Sequence, residues 1–247
     1  MRLKLIGCQV FTREFEHLVA RSANAIDSEI IPMGLHSLGV EMRPHLQESI
    51  DRADPLGYDA ILLGYGLCGR GTDNLVARRT QLIMPRTHDC IGILMGSRRR
   101  YAEYFAGHPG IYYRSPGWSE FQTPDLKLEP AFPSQKKDTF NQSQSLEELI
   151  EKYGEDNGRF LYEQYSAFRH SYSGLTYISN EIASNDTCRA MAEAEAADNH
   201  WAFEEVPGSL AILDRLLNGP WNTDEFLIVP PGAQIRATIN DDIVEAV

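Results

Sequence analysis

Short apolar runs alternate with stretches of helical spacing along most of the chain. Residues 2–10 are an apolar run ending at Gly7 and Cys8, and residues 12–22 set Phe15, Leu18 and Val19 on one side of a charged segment. The first pattern predicts a buried strand and the second an amphipathic helix. The rhythm continues with a strand at 27–32, stopped by Pro32 and Gly34, and a helix at 42–52 carrying His45, Leu46, Ser49 and Ile50 on one side. A strand at 58–63, a short helix at 74–79, a strand at 81–85 and a helix at 91–105 follow. Strands that alternate with helices of this length imply right-handed crossovers and a mainly parallel sheet.

Residues 107–118 are rich in Pro, Gly and Tyr, and 119–144 have few periodic apolar positions, which predicts a long loop or lid. The rhythm then restarts. Helices are expected at 145–153 and 160–170, with Tyr162, Tyr165 and Phe168 clustered, then a strand at 175–178 and a helix at 187–198. A strand at 201–206, a helix at 209–217 and a strand at 225–229, ended by Pro230-Pro231-Gly232, complete the chain. The fold class expected is α/β, with mainly parallel, Rossmann-like sheets in two pseudo-repeated βαβαβ halves. Residues 1–118 would be the first lobe, 119–144 a loop or lid, and 145–247 a second lobe facing the first across a cleft.

Length and charge narrow the functions. A chain of 247 residues buries a sizeable core, and its net charge of -12 argues against nucleic acid or an anionic membrane as main partner. No apolar run approaches the length of a bilayer span, and the first ten residues lack the long apolar core of a secretory leader, so a cytoplasmic protein is expected. Four cysteines in a leaderless chain of this size read as reduced thiols that pack, react or bind metal.

Three of them follow predicted strands: Cys8 the first, Cys68 the third and Cys90 the fourth. Loops at the carboxyl ends of parallel strands line the ligand crevice of an open sheet. Thiolates gathered there with His88, two residues before Cys90, make a donor set for zinc, or for an iron–sulfur cluster. Burial as small hydrophobes is the competing reading, and no Cys-x-x-Cys pair is present. Asp89 can hold the His88 ring or point away. Cys188, in an alanine-rich helix, reads as packing.

The stretch Gly64-Tyr-Gly-Leu-Cys-Gly-Arg-Gly71 formally matches a dinucleotide fingerprint at Gly64, Gly66 and Gly69. It follows the third strand rather than the first, and no acidic residue ends a following strand at the usual distance. The better expectation is a turn, eased by Gly71 as well, that aims Cys68 and offers N–H groups to an anionic ligand. Arg98 is a candidate for a ligand's carboxylate or phosphate. Tyr112, Tyr113 and Trp118 are candidate pocket walls, with packing the plainer role. Tyr177 and Glu181 flank a strand end of the second half, where Glu181 is a candidate acid, base or further ligand. Cys68, His88 and Glu181 are thus the catalytic candidates. Common hydrolase, ATPase and zinc-protease motifs are absent.

With Leu82-Ile-Met-Pro-Arg-Thr-His-Asp-Cys90, Gly96-Ser-Arg-Arg-Arg-Tyr101, Pro109-Gly-Ile-Tyr-Tyr113 and Phe226-Leu-Ile-Val-Pro-Pro-Gly232, the glycine stretch resembles the DUF1638 family. That resemblance implies an association with corrinoid-dependent methyltransferase systems. The resulting expectation is a zinc-favouring enzyme or accessory protein of one-carbon metabolism, with a small methylated or anionic substrate and a thiol or corrinoid partner. An iron–sulfur lyase or dehydratase, and a non-catalytic module delivering corrinoid or metal, are the alternatives.

Overall fold

A computed structural model of the chain describes residues 1–33, 39–122, 146–182 and 186–247. Its first half runs β1 (Arg2–Cys8), α1 (Thr12–Val19), β2 (Ala25–Ile31), α2 (Gly39–Ala53), β3 (Ala60–Gly64), β4 (Leu82–Pro85), α3 (Cys90–Leu94), α4 (Arg98–Gly107), β5 (Ile111–Arg114) and α5 (Pro116–Gln122). The second half holds α6 (Leu146–Tyr153), α7 (Glu155–His170), β6 (Gly174–Ser179), α8 (Asp186–Asp198), β7 (Ala202–Pro207), α9 (Ala211–Asn218), β8 (Phe226–Val229), β9 (Ile235–Ala237) and β10 (Val244–Ala246).

The main sheet has the order β2-β1-β3-β4-β8, parallel except for β8, which runs antiparallel to β4. Its strands β3 and β4 and the second half of β1 are apolar, with Leu5, Ile6, Ile61, Leu62, Leu63, Ile83 and Met84 fully buried. Such runs suit strands covered on both faces. A second parallel sheet, β5-β6-β7, packs through Ile178 into the same core. Its other face forms a smaller cluster of Leu175, Tyr177, Cys188, Ala192 and Ala196 beneath α8.

The α/β class and the mainly parallel main sheet agree with the sequence pattern. Several details differ. Strand membership crosses the division drawn at 118 and 145, because β5 pairs with β6 and β8 with β4. The span expected as a loop or lid begins inside α5, and its remainder, 123–144, lies outside the described residues. The helix expected at 91–105 is two helices, since Gly96 has φ +73 and the Ser97 side chain caps the second by accepting from Arg100 N. No helix forms at 74–79. Asn74 has φ 65 and its amide donates to Ile235 O, while Val76 bridges to Gln234. No helix among the described residues is long and apolar enough to cross a membrane.

The strand order reverses direction between β1 and β3, so their carboxyl ends open a crevice. Gly7 and Gly64 are register partners there. A Cβ on either would lie 2.5 or 2.4 Å from the Phe15 ring of α1. These glycines therefore let α1 lie close against the point where the sheet divides.

Candidate functional site

Two loops beyond the main sheet continue its pairing without being strands. After β3, the amides of Leu67 and Cys68 donate to the carbonyls of Thr87 and His88 at 2.9 and 2.8 Å. Gly66 makes this approach fit, because a Cβ there would sit 2.6 Å from Thr87 Oγ1 and 2.9 Å from Asp89 N. The chain then reverses through Cys68, Gly69 and Arg70, with φ of 47, 61 and 69°. Consecutive left-handed residues are rare for L-amino acids, and each non-glycine costs on the order of 1 kcal/mol. The Gly71 amide closes the turn on Cys68 O at 3.0 Å.

This turn sets Cys68 against the loop that carries Cys90. Cys8, Cys68 and Cys90 are 7, 3 and 5 % exposed. Burial lifts the Cys8 thiol from its ordinary 9.0 to about 11. Burial likewise raises Cys68, and negative charge on Cys8 and Asp89 raises it further. Cys90 is raised by burial, then by Cys68, Asp89 and Cys8, and is partly relieved by a hydrogen bond from Trp118. The three thiols therefore lie within electrostatic reach of one another at the carboxyl ends of β1, β3 and β4. Without a bound cation, these shifts favour the neutral thiol over the thiolate.

These shifts fix a pH dependence of folding. A thiol with a raised folded-state pKa adds stability that is fully present below its unfolded value and is lost as pH rises through the folded one. For Cys8 that window runs from 9.0 to about 11, worth about 3 kcal/mol at roughly 1.4 kcal/mol per unit. Circular dichroism between pH 8 and pH 11 is expected to show progressive loss of stability, and Cys8→Ala a shallower decline.

Asp89 precedes Cys90 as the N-cap of α3, its Oδ1 accepting from the amides of Ile91 and Gly92. Burial raises its pKa against those two hydrogen bonds. Its Oδ2 accepts from the Tyr101 hydroxyl at 3.3 Å. A cavity of about 220 Å³ opens beside it, between the start of α3 and the second sheet. Asp89, Cys90, Trp118 and all four residues of β5 line it, together with Tyr172 and Ile178. Cys8 and Cys68 are not among its walls.

Of the sequence candidates, Cys8, Cys68 and Cys90 are buried at or just after neighbouring strand ends, and Cys90 shares the cavity wall with Tyr112, Tyr113 and Trp118. His88 does not join them. Its main-chain carbonyl takes the Cys68 amide and its side chain is exposed, because the extended Asp89 turns the chain before Cys90 enters α3. Glu181 is exposed beyond β6. Arg98 donates to Asp241 O at 2.9 Å, in the loop joining β9 and β10, and is not among the cavity walls. Tyr177 is buried in the small cluster and does not face a cleft.

The glycines differ in role. Gly64 gives room to Phe15, Gly66 to the loop of Thr87, and Gly71 lies against Met42 and Cys68 O. Of these four, Gly69 alone has open space around it. Because the amides of Leu67, Cys68 and Gly71 already have carbonyl partners, they do not form a phosphate cradle. Arg114, Ile111 and Tyr172 were not singled out from the sequence. Their signal would have been recognition of residues 111–114 as a strand.

A family model described as protein of unknown function (DUF1638) matches residues 30–217. The chain belongs to the DUF1638 family. That match spans β3, β4, the thiol-bearing loops Gly64–Gly71 and His88–Cys90, and the whole second sheet. Comparison with curated proteins and with solved structures gives no match.

Proposed function

We propose that this DUF1638 protein is a metal-dependent enzyme or accessory protein. Cys8, Cys68 and Cys90 would hold a soft ion, zinc in preference, beside the cavity that takes the substrate. What supports the reading is the placement of three buried thiols at or just after the carboxyl ends of β1, β3 and β4, with Cys68 and Cys90 each subject to the charge of the other thiols. Buried thiols whose pKa values are raised by burial and by one another are poor thiolates on their own. A divalent cation offsets both effects. The donor chemistry therefore fits, although among the described residues no group of three or more His, Cys, Asp or Glu side chains is already disposed to hold an ion. When bound, zinc would supply a Lewis acid that keeps sulfur ionised at neutral pH.

The chain's own contribution is positional. Trp118 donates to Cys90 and walls the cavity, while Asp89 holds the first turn of α3 and can exchange a proton near Cys90. A small methylated or anionic substrate, a role in one-carbon chemistry, and a thiol or corrinoid partner are the part of the proposal that rests on family resemblance. The two-halved Rossmann-like reading of the sheets belongs to the proposal as well.

The experiment is metal analysis of protein purified without oxygen and without a metal-affinity column. Near-stoichiometric zinc is expected, falling by at least about tenfold in Cys68→Ser and Cys90→Ser, as removal of a ligand predicts. Full metal content in folded variants would overturn the ligand assignment. Iron with sulfide would move the site to cluster chemistry.

A further inference from the structure

Hydrogen-bond direction along the second sheet singles out its β5 edge. Ser173 O accepts from Ala202 N and Ser179 O from Gly208 N, so these carbonyls point toward the β7 side. Backbone groups alternate sides along a parallel strand, which turns Gly174, Thr176 and Ile178 toward β5. The register, Ile111 with Gly174 and Tyr113 with Thr176, then commits Tyr112 and Arg114 to β6. Gly110 O, which accepts from Ser173 N, agrees. The N–H and C=O groups of Ile111 and Tyr113 therefore face away from β6.

Among the described residues no strand pairs with that side of β5. It opens on the cavity. Side chains of consecutive strand residues point to opposite faces, so Ile111, Tyr112, Tyr113 and Arg114 can all line one cavity only along an edge. Two other sheet edges, β7 and β2, carry charge or proline that discourages added strands. In β7 these are Glu204, Glu205 and Pro207, and in β2 they are Asp27 and Glu29. By contrast β5 reads Ile-Tyr-Tyr-Arg, and the Arg114 guanidinium is held by Glu195 through two 2.7 Å hydrogen bonds.

We propose that this recessed edge binds a peptide-like amide with an apolar flank, laid as a short extra strand beside β5. Two outward-facing residues present donors and acceptors roughly 6.6 Å apart, the repeat of an extended chain. Ile178 and Trp118 supply the apolar walls, and the Tyr112 ring lies 5.2 Å from that of Tyr172. An apolar cavity of about 150 Å³ takes a benzene ring. At about 220 Å³ this one accommodates roughly one capped residue rather than a long peptide. The inference rests on the reading above only in taking the cavity as the ligand site. It does not depend on the ion.

The test uses N-acetyl-phenylalanine N-methylamide as probe, with amide hydrogen exchange followed by NMR on the full chain. Exchange at Ile111 and Tyr113 is expected to slow by about tenfold at saturation, with Tyr112 and Arg114 unchanged because they are already paired. The matching methyl ester, which lacks one N–H, is expected to bind about fivefold more weakly. Ile111→Pro removes an outward N–H that an edge strand can lose, and should abolish the slowing. If that variant folds poorly, the ester comparison still decides. Absence of binding, or Ile111 and Tyr113 amides as slow as their neighbours before any probe is added, would overturn the proposal. Running the titration on zinc-loaded and chelator-treated protein separates the two ideas: slowing in both supports this edge whatever the fate of the thiol site.

Discussion

Gly66→Ala is expected to lower the unfolding free energy by about 3 kcal/mol, the upper end of the roughly 1–3 kcal/mol typical of forcing atoms into a packed interior. The new Cβ would meet Thr87 Oγ1, Thr87 O and Asp89 N at 2.6–2.9 Å. Two of these three are main-chain atoms, which cannot swing aside as a flexible side chain can. The loops after β3 and β4 would have to separate, breaking the Leu67–Thr87 and Cys68–His88 hydrogen bonds that hold Cys68 near Cys90. Stability and thiol geometry should therefore fall together. Gly69→Ala is the control, since Gly69 has φ +61 but open space around it. It should cost only about 1 kcal/mol from the left-handed backbone. Urea denaturation of both variants checks the difference. Equal losses would mean that the close approach at Gly66 is unimportant.

Arg114→Met is expected to destabilise by about 2–3 kcal/mol, less than the 3–5 typical of a fully buried pair. The Arg114 side chain is 11 % exposed and that of Glu195 31 %, so the carboxylate left behind keeps part of its hydration. The guanidinium also lies 4.7 Å from the centre of the Tyr112 ring, so packing is lost along with charge. Because this pair ties β5 to α8, its loss should loosen the cavity wall as well. Pairing Arg114→Met with Glu195→Leu should recover most of the stability, as apolar replacement of both partners does elsewhere. Thermal melts of the single and double variants test this. A double variant no better than Arg114→Met would point to packing rather than to the stranded charge.

Much of the main sheet was legible because β3, β4 and the end of β1 are buried on both faces and therefore read as apolar runs. The position of the thiols followed from the same logic: residues after such strands gather at one edge of a parallel sheet. What could not be read was which sheet each strand joins. Phe226-Leu-Ile-Val229 looks the same whether it pairs with β7 or β4, and the antiparallel choice is a long-range one. Ile111–Arg114 hid among glycines and tyrosines, so the wall carrying Arg114 and the open edge stayed invisible. The helix expected at 74–79 failed for another reason. Asn74 takes a left-handed conformation, and the following residues bond to the chain around Gln234, a tertiary demand that overrides local spacing.

His88 shows the limit of spacing arguments. A single residue, Asp89, separates it from Cys90, a spacing that in an extended loop would put both side chains on one side. Asp89 instead caps a helix that begins at Cys90, so the thiol turns inward while the ring stays in solvent. The left-handed turn at Cys68 is similarly unreadable. Glycines on either side announce a tight turn but do not say that the cysteine itself adopts positive φ.

Titration of the metal-free protein with Co²⁺, followed by absorption in the near ultraviolet and visible, addresses the thiol site directly. An intense sulfur-to-cobalt band is expected, growing to one equivalent and weakening in each of Cys8→Ser, Cys68→Ser and Cys90→Ser but not in Cys188→Ser. A spectrum with no sulfur-to-cobalt band, or one indifferent to all three substitutions, would contradict the assignment of these thiols to a shared ion.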